Sequence, residues 1–88
     1  MDTWTVALHP DVEAELDDVP ADLHDTALAL LDSLTEDPFP PDHVKLVCHN
    51  DLYRLRLDGW RIVYRVNLRR RQVKIRRIRP RGVVYRGL

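Results

Sequence analysis

The stretch Tyr53-Arg54-Leu55-Arg56-Leu57-Asp58-Gly59-Trp60-Arg61-Ile62-Val63-Tyr64-Arg65-Val66 decides the fold. Tyr53, Leu55 and Leu57 alternate with Arg54 and Arg56, the period of a strand with one buried face. Past Asp58-Gly59 the alternation resumes, with Ile62, Tyr64 and Val66 set against Arg61, Val63 and Arg65. Asp-Gly between two such runs is a strong local signal for a β-hairpin. Alternation also sends Arg54, Arg56 and Arg61 to the side away from the apolar face.

Downstream, Asn67 to Arg71 reads as a basic turn and Gln72 to Arg79 as a further strand. Its alternation slips between Arg76 and Ile78, which predicts a β-bulge there. Pro80 ends the strand, and a short tail from Arg81 to Leu88 follows. Upstream, Trp4 to Leu8 alternates as a first strand. Pro10 then opens a short helix with Val12, Leu16 and Val19 on one face. After Pro20, Leu23, Ala27, Leu30, Leu31 and Leu34 recur at helical spacing and predict a second helix over 21–34. Glu36 to Asp42 contains Pro38, Pro40 and Pro41 and is a loop. The expected architecture is one α+β domain over residues 1–88. It has an N-terminal strand, an antiparallel helix hairpin and a three-stranded antiparallel meander, in the order β-α-α-β-β-β, with two layers.

The chain has 88 residues and a formal net charge of zero, but the charge is sharply divided. All 14 Lys and Arg lie from Lys45 onward, where Asp51 and Asp58 are the only acids; the other 12 acids precede Lys45. Such asymmetry points to a polyanionic partner, and arginine suits bidentate phosphate contacts. The carboxylates Glu13, Glu15, Asp17 and Asp18 read as a solvated acidic helix face that repels nucleic acid. The single cysteine, Cys48, permits no intrachain disulfide and reads as an inert thiol. With no secretory signal and no apolar run near ~20 residues, the chain reads as cytoplasmic, with no membrane partner. His43, Cys48 and His49 lack the spacing of a structural zinc site. Three glycines argue against a Gly-rich phosphate loop, so no metal or cofactor is expected. Tyr53 and Tyr64 fall on the apolar face and are expected in the core. Trp60, at the turn, is ambiguous.

Residues 53–64 resemble the central hairpin of RelE-like toxins of type II toxin–antitoxin systems, in the RelE/ParE superfamily. The shared pattern is aromatic-basic-apolar-basic, a Gly-aromatic turn, then Arg-apolar-apolar-Tyr. Asp37-Pro38 after the second helix, the closing Arg81…Tyr85 and the order of elements also match. The resemblance implies a RelE-like fold and a cognate antitoxin protein as partner. It also implies ribosome-dependent, metal-independent cleavage of messenger RNA, with 16S rRNA contacts. In that reaction the RNA 2′-hydroxyl attacks and leaves a 2′,3′-cyclic phosphate. By matched position, the resemblance makes Arg56, Arg61, Arg81 and Tyr85 catalytic. Arg61 faces the phosphate, Arg81 the leaving oxygen, and Tyr85 stacks on or orients the nucleotide. Arg54 and Arg56 match the two basic strand positions, and Lys45 and Arg65 are further RNA-binding candidates. Some relatives have lysines at the strand positions, one of them a proposed general base. Arginine is a poor proton acceptor at neutral pH. His49 has a suitable intrinsic pKa and is the candidate base, ahead of Lys45, His43 and Tyr85. The resemblance leaves two alternatives open: a ParE-like non-enzymatic inhibitor of DNA gyrase, and a nucleic-acid-binding relative with weak or no catalysis.

Overall fold

A computed structural model describes residues 3–47, 49 and 51–86. Cys48 lies outside the described residues. The elements are β1 (Thr5–Leu8), α1 (Pro10–Asp17), α2 (Ala21–Ser33), β2 (Val44–Lys45), β3 (Leu52–Leu57), β4 (Trp60–Asn67) and β5 (Gln72–Pro80). Two helices cover one face of a five-stranded sheet of order β1-β5-β4-β3-β2.

The expected meander is β3-β4-β5, antiparallel throughout. The sheet is wider than expected on both sides. β1 runs parallel to β5, from Thr5 opposite Gln72 to Leu8 opposite Ile75, so the sheet is mixed. The two-residue β2 pairs Val44 with Arg54 and Lys45 with Tyr53. A strand of that length leaves no readable alternation, and the parallel partner of β1 is set by long-range packing. At the outer end of β1, the Arg71 guanidinium lies 4.5 Å from the centroid of the Trp4 ring.

Local chemistry explains the helices. Pro10 is preset for the first helical turn, and His9 Nδ1 accepts the Asp11 N–H at 3.3 Å. Asp11 and Glu13 sit at the positive end of the α1 dipole. Val12 and Val19 are buried from α1 and its exit, and Ala27, Leu31 and Leu34 from α2 and its cap, as the helical spacing predicts. They pack on Leu55, Leu57, Ile62, Tyr64, Val73, Ile75 and Ile78.

The bulge falls where the sequence slips. Val63 pairs with Arg77 but Tyr64 pairs with Ile75, which leaves Arg76 without a partner on β4. The extra residue resets the alternation, so Ile75 and Ile78, three apart, both reach the core.

The face away from the helices carries a second, smaller core that the sequence reading missed. The tail turns back after Pro80, with the Val83 and Val84 N–H groups both donating to the Pro80 carbonyl at 3.0 Å. Val84 is thereby buried on Leu52 and Val63, with Leu46 alongside. Val84→Ala should cost about 1.5–2 kcal/mol, since it removes two buried methyl groups. The loss should appear as a lowered melting temperature and as faster amide exchange in residues 81–86, ahead of the sheet.

Candidate phosphate-binding cleft

Residues directly opposite in a ladder share a face. Arg56 is opposite Arg61, and Arg54 is opposite Val63 on one side and Val44 on the other. These side chains therefore leave the sheet on the side that Val84 covers. Beyond that small plug an open cleft of about 670 Å³ is lined by Arg54, Arg56, Arg61, Arg81, Tyr85, Val44, Asp42 and Asp58.

Arg61 forms the floor. It is only 5% exposed, where alternation alone had suggested a solvated side chain. Its Nη1 donates to the carbonyls of Asp58 and Trp60, both at 2.7 Å. The hairpin turn thus orients the guanidinium, and Asp58 takes the left-handed φ of 51° that the turn requires. Burial lowers the Arg61 pKa, and repulsion from Arg56, Arg54 and Arg81 adds to this, against an opposing contribution from Tyr85. Positive charge is therefore concentrated here, which favours an anionic guest. Arg81 is brought in by its own backbone, whose N–H donates to the Gly59 carbonyl at 2.9 Å. Seating Val84 places the next residue, Tyr85, at the cleft rim, where it is partly exposed. The Arg77 guanidinium holds the tail from behind, with Nη1 donating to the Arg86 carbonyl at 3.0 Å.

Arg54, Arg56, Arg61, Arg81 and Tyr85 thus come together, as expected. The other candidates do not. Lys45 is opposite Tyr53, which packs on the helix side, so Lys45 points away from the cleft. Arg65 is separated from Arg61 by Val63 and its Val84 cover, and its Nε pairs with Asp51 Oδ2 at 3.0 Å. His49 sits before β3, tied by backbone bonds to Leu46 and Leu52, and does not line the cleft. A hairpin register was enough to group Arg54, Arg56 and Arg61. The folding of residues 46–51 was not readable from it. His43 bonds the Pro40 carbonyl through Nδ1 at 2.6 Å and packs edge-on to Phe39 in the aromatic cluster.

Asp42 and Asp58 are cleft residues that the sequence reading passed over. The Pro-rich loop and the turn deliver them, and neither leaves a periodic signal. Glu15 is a correction. It is buried and bonded to β5 rather than part of a solvated face. Among the described residues, no group of three or more His, Cys, Asp or Glu could hold a metal ion. No helix of the described chain is long and apolar enough to cross a membrane.

A helix pair on one face of a mixed sheet, with an arginine cleft on the other, makes a two-layer α+β fold. The family model for the ParE toxin of the type II toxin–antitoxin system, parDE, matches residues 6–85, so the chain belongs to this family, within the RelE/ParE superfamily of toxins. It is similar to the archaeal RelE of the RelE–RelB complex from Pyrococcus horikoshii OT3, at 32% identity and a TM-score of 0.80, over 96% of this chain and 100% of that one. The isolated E. coli RelE toxin matches with a TM-score of 0.76 at 19% identity, over 88% of this chain and 83% of that one. The Mycobacterium tuberculosis RelBE2 toxin–antitoxin complex matches at 0.74 and 18%, over 90% and 99%. These last two bear on the fold alone. A search of curated protein sequences found no match.

Proposed function

We propose that this toxin cleaves messenger RNA on the ribosome in the cytoplasm, with the RNA's own 2′-oxygen as nucleophile. The observation that carries the reading is the convergence of Arg54, Arg56, Arg61 and Arg81 with Tyr85 around one open cleft. A scissile phosphodiester lies over Arg61. The 2′-oxygen attacks phosphorus, the bond to the 5′-oxygen breaks, and a 2′,3′-cyclic phosphate forms while the departing 5′-oxygen takes a proton from water to become a hydroxyl. The negative charge that grows on phosphorus meets a guanidinium already fixed by two carbonyls. Preorganisation of this kind needs no rearrangement during reaction. Arg81 stabilises the departing oxygen, Arg54 and Arg56 grip flanking phosphates, and Tyr85 stacks on a base, worth about 1–3 kcal/mol.

The 2′-hydroxyl proton needs an acceptor. His49 stands outside the cleft, whereas Asp42 and Asp58 are among its lining residues. A carboxylate can accept such a proton, and these two aspartates are the candidates we favour over His49 for that role. No step requires a metal or cofactor.

The partner that restrains the toxin is a cognate antitoxin. The Pyrococcus horikoshii relative is a RelE–RelB complex. An acidic antitoxin segment that folds on binding complements the cleft arginines.

A second reading, non-enzymatic inhibition of DNA gyrase, is favoured by the ParE description of the matching family. The two are separated by incubating the protein with programmed ribosomes, mapping the message by primer extension, and running a gyrase supercoiling assay in parallel. The expected result is cleavage at defined positions, with Arg81→Ala slowing it by about 10²-fold or more, the loss of one positioned donor. Intact message with blocked supercoiling would establish the second reading instead. RNA bound without either effect would indicate a binding relative that lacks catalysis.

A further inference from the structure

The proposed reaction leaves one buried carboxylate without a role. Glu15, on α1, is 8% exposed. β1 accompanies β5 only to Ile75, so among the described residues the outer edge of β5 beyond that residue has no strand beside it. Glu15 stands there instead. Its Oε1 accepts the Ile78 N–H at 2.8 Å, and its Oε2 lies 3.3 Å from Arg79 Nη1 and 3.4 Å from Arg77 Nε.

Arg79 and Arg77 occupy the ladder positions opposite Arg61 and Val63. They therefore leave the sheet on the same side as the cleft arginines. Yet neither lines the cleft. Both are drawn round the β5 edge into a separate groove, shared with Arg76 and His9, where Asp11, Glu15 and Asp18 oppose them.

We infer that Glu15 is a specificity-determining residue for polyanion binding: it tethers Arg77 and Arg79 at the sheet edge and confines the phosphate grip of this face to the cleft. The inference rests on the reading of the cleft as a phosphate-backbone site. Untethered, the two guanidiniums extend the basic surface from Arg61 across β5. Contacts to phosphate carry no sequence information, so they raise affinity for every RNA alike. Withholding them leaves discrimination to the cleft and to whatever presents the message.

Glu15→Gln keeps an oxygen for the Ile78 N–H and removes the charge. Binding of a fluorescent oligouridylate is measured over a salt series for wild type, E15Q and E15Q/R77Q/R79Q, with circular dichroism to check the fold. For E15Q, the slope of log affinity against log salt should steepen by about 1.4, two further phosphates at about 0.7 each. Affinity near about 0.1 M salt should rise by about tenfold or more. The triple variant should return to the wild-type slope. An unchanged slope in E15Q, or a gain that survives in the triple variant, overturns the inference. R77Q/R79Q with Glu15 intact gives an independent reading. Its salt slope should equal that of wild type, since the bond from Arg77 to the Arg86 carbonyl that it also removes involves no phosphate, and a shallower slope shows that the two arginines already grip RNA. The reading of the cleft is judged separately, by Arg54→Gln and Arg56→Gln. If those leave oligouridylate binding unchanged, the cleft is not the phosphate site, whatever Glu15 does.

Discussion

Arg61→Ala should lower the rate of message cleavage by about 10²–10³-fold, equivalent to about 3–4 kcal/mol of transition-state stabilisation. Circular dichroism should stay close to wild type, because the hairpin ladder does not depend on this side chain, while the melting temperature should fall, since the Asp58 and Trp60 carbonyls lose their donor. The size of the effect follows from how the group is held. Nη1 is committed to the Asp58 and Trp60 carbonyls, so the guanidinium cannot swing away, and burial keeps competing water off it. Arg61→Lys should recover little. A single ammonium nitrogen would have to serve both carbonyls and the phosphate at once, and it lacks the planar fork. His49→Ala is the internal contrast, expected to leave the cleavage rate within about twofold, since His49 does not line the cleft. Single-turnover cleavage of ribosome-bound message measures all three. Full activity in Arg61→Ala would remove the basis of the ribonuclease reading.

Tyr64→Ala should be the most damaging of the core changes, at about 3–5 kcal/mol. Tyr64 is 0% exposed and its hydroxyl donates to the Pro38 carbonyl at 2.8 Å. Its ring stacks on Tyr53 with centroids 5.9 Å apart, and Tyr53 meets Phe39 edge-on at 5.2 Å. The cluster fixes the loop after α2, which leads into Asp42 and Val44 of the cleft wall. For a chain of this size each kcal/mol shifts the melting temperature by roughly 4–8 °C, so the loss is readily seen. Tyr64→Phe keeps the ring and should cost about 1–2 kcal/mol, the penalty for an unpaired carbonyl.

The phenol also carries a pH signature. Burial raises the Tyr64 pKa well above its ordinary value, with Asp37 and Tyr53 adding to the shift. The folded state therefore keeps its proton when the unfolded state has lost one. This stabilisation is complete below about pH 10 and is lost as pH climbs through and past that value. Denaturant midpoints should fall more steeply above about pH 10 for wild type than for Tyr64→Phe. Parallel curves would rule out the linkage.

Much of this molecule was legible in one dimension. The Asp58-Gly59 turn between two alternating runs specifies the β3–β4 register, and that register alone puts Arg56 opposite Arg61. The slip at Arg76 marked the bulge because core-facing side chains must alternate unless a residue is added. The helices followed from the spacing of Val12, Ala27, Leu31 and Leu34 and from the placing of Pro10. What was not legible shares a cause. Lys45 and Arg65 were RNA-binding candidates and His49 the candidate base, and β2 register, the Asp51 pair and the turn before β3 set these three apart from the cleft. Glu15 was assigned to solvent because its neighbours are acidic, and its partner lies 63 residues away.

By itself the amino-acid order determined the hairpin, the helix pair, the bulge and the concentration of arginine on one side of the sheet, because backbone period and turn chemistry act over a few residues. Only the tertiary structure decided that β1 joins β5 in parallel, that Val84 plugs the open face and brings Tyr85 to the cleft, and that Arg77 and Arg79 are turned toward Glu15. Those outcomes depend on contacts between segments far apart in the chain, where burial and charge pairing choose among positions that local pattern leaves equal.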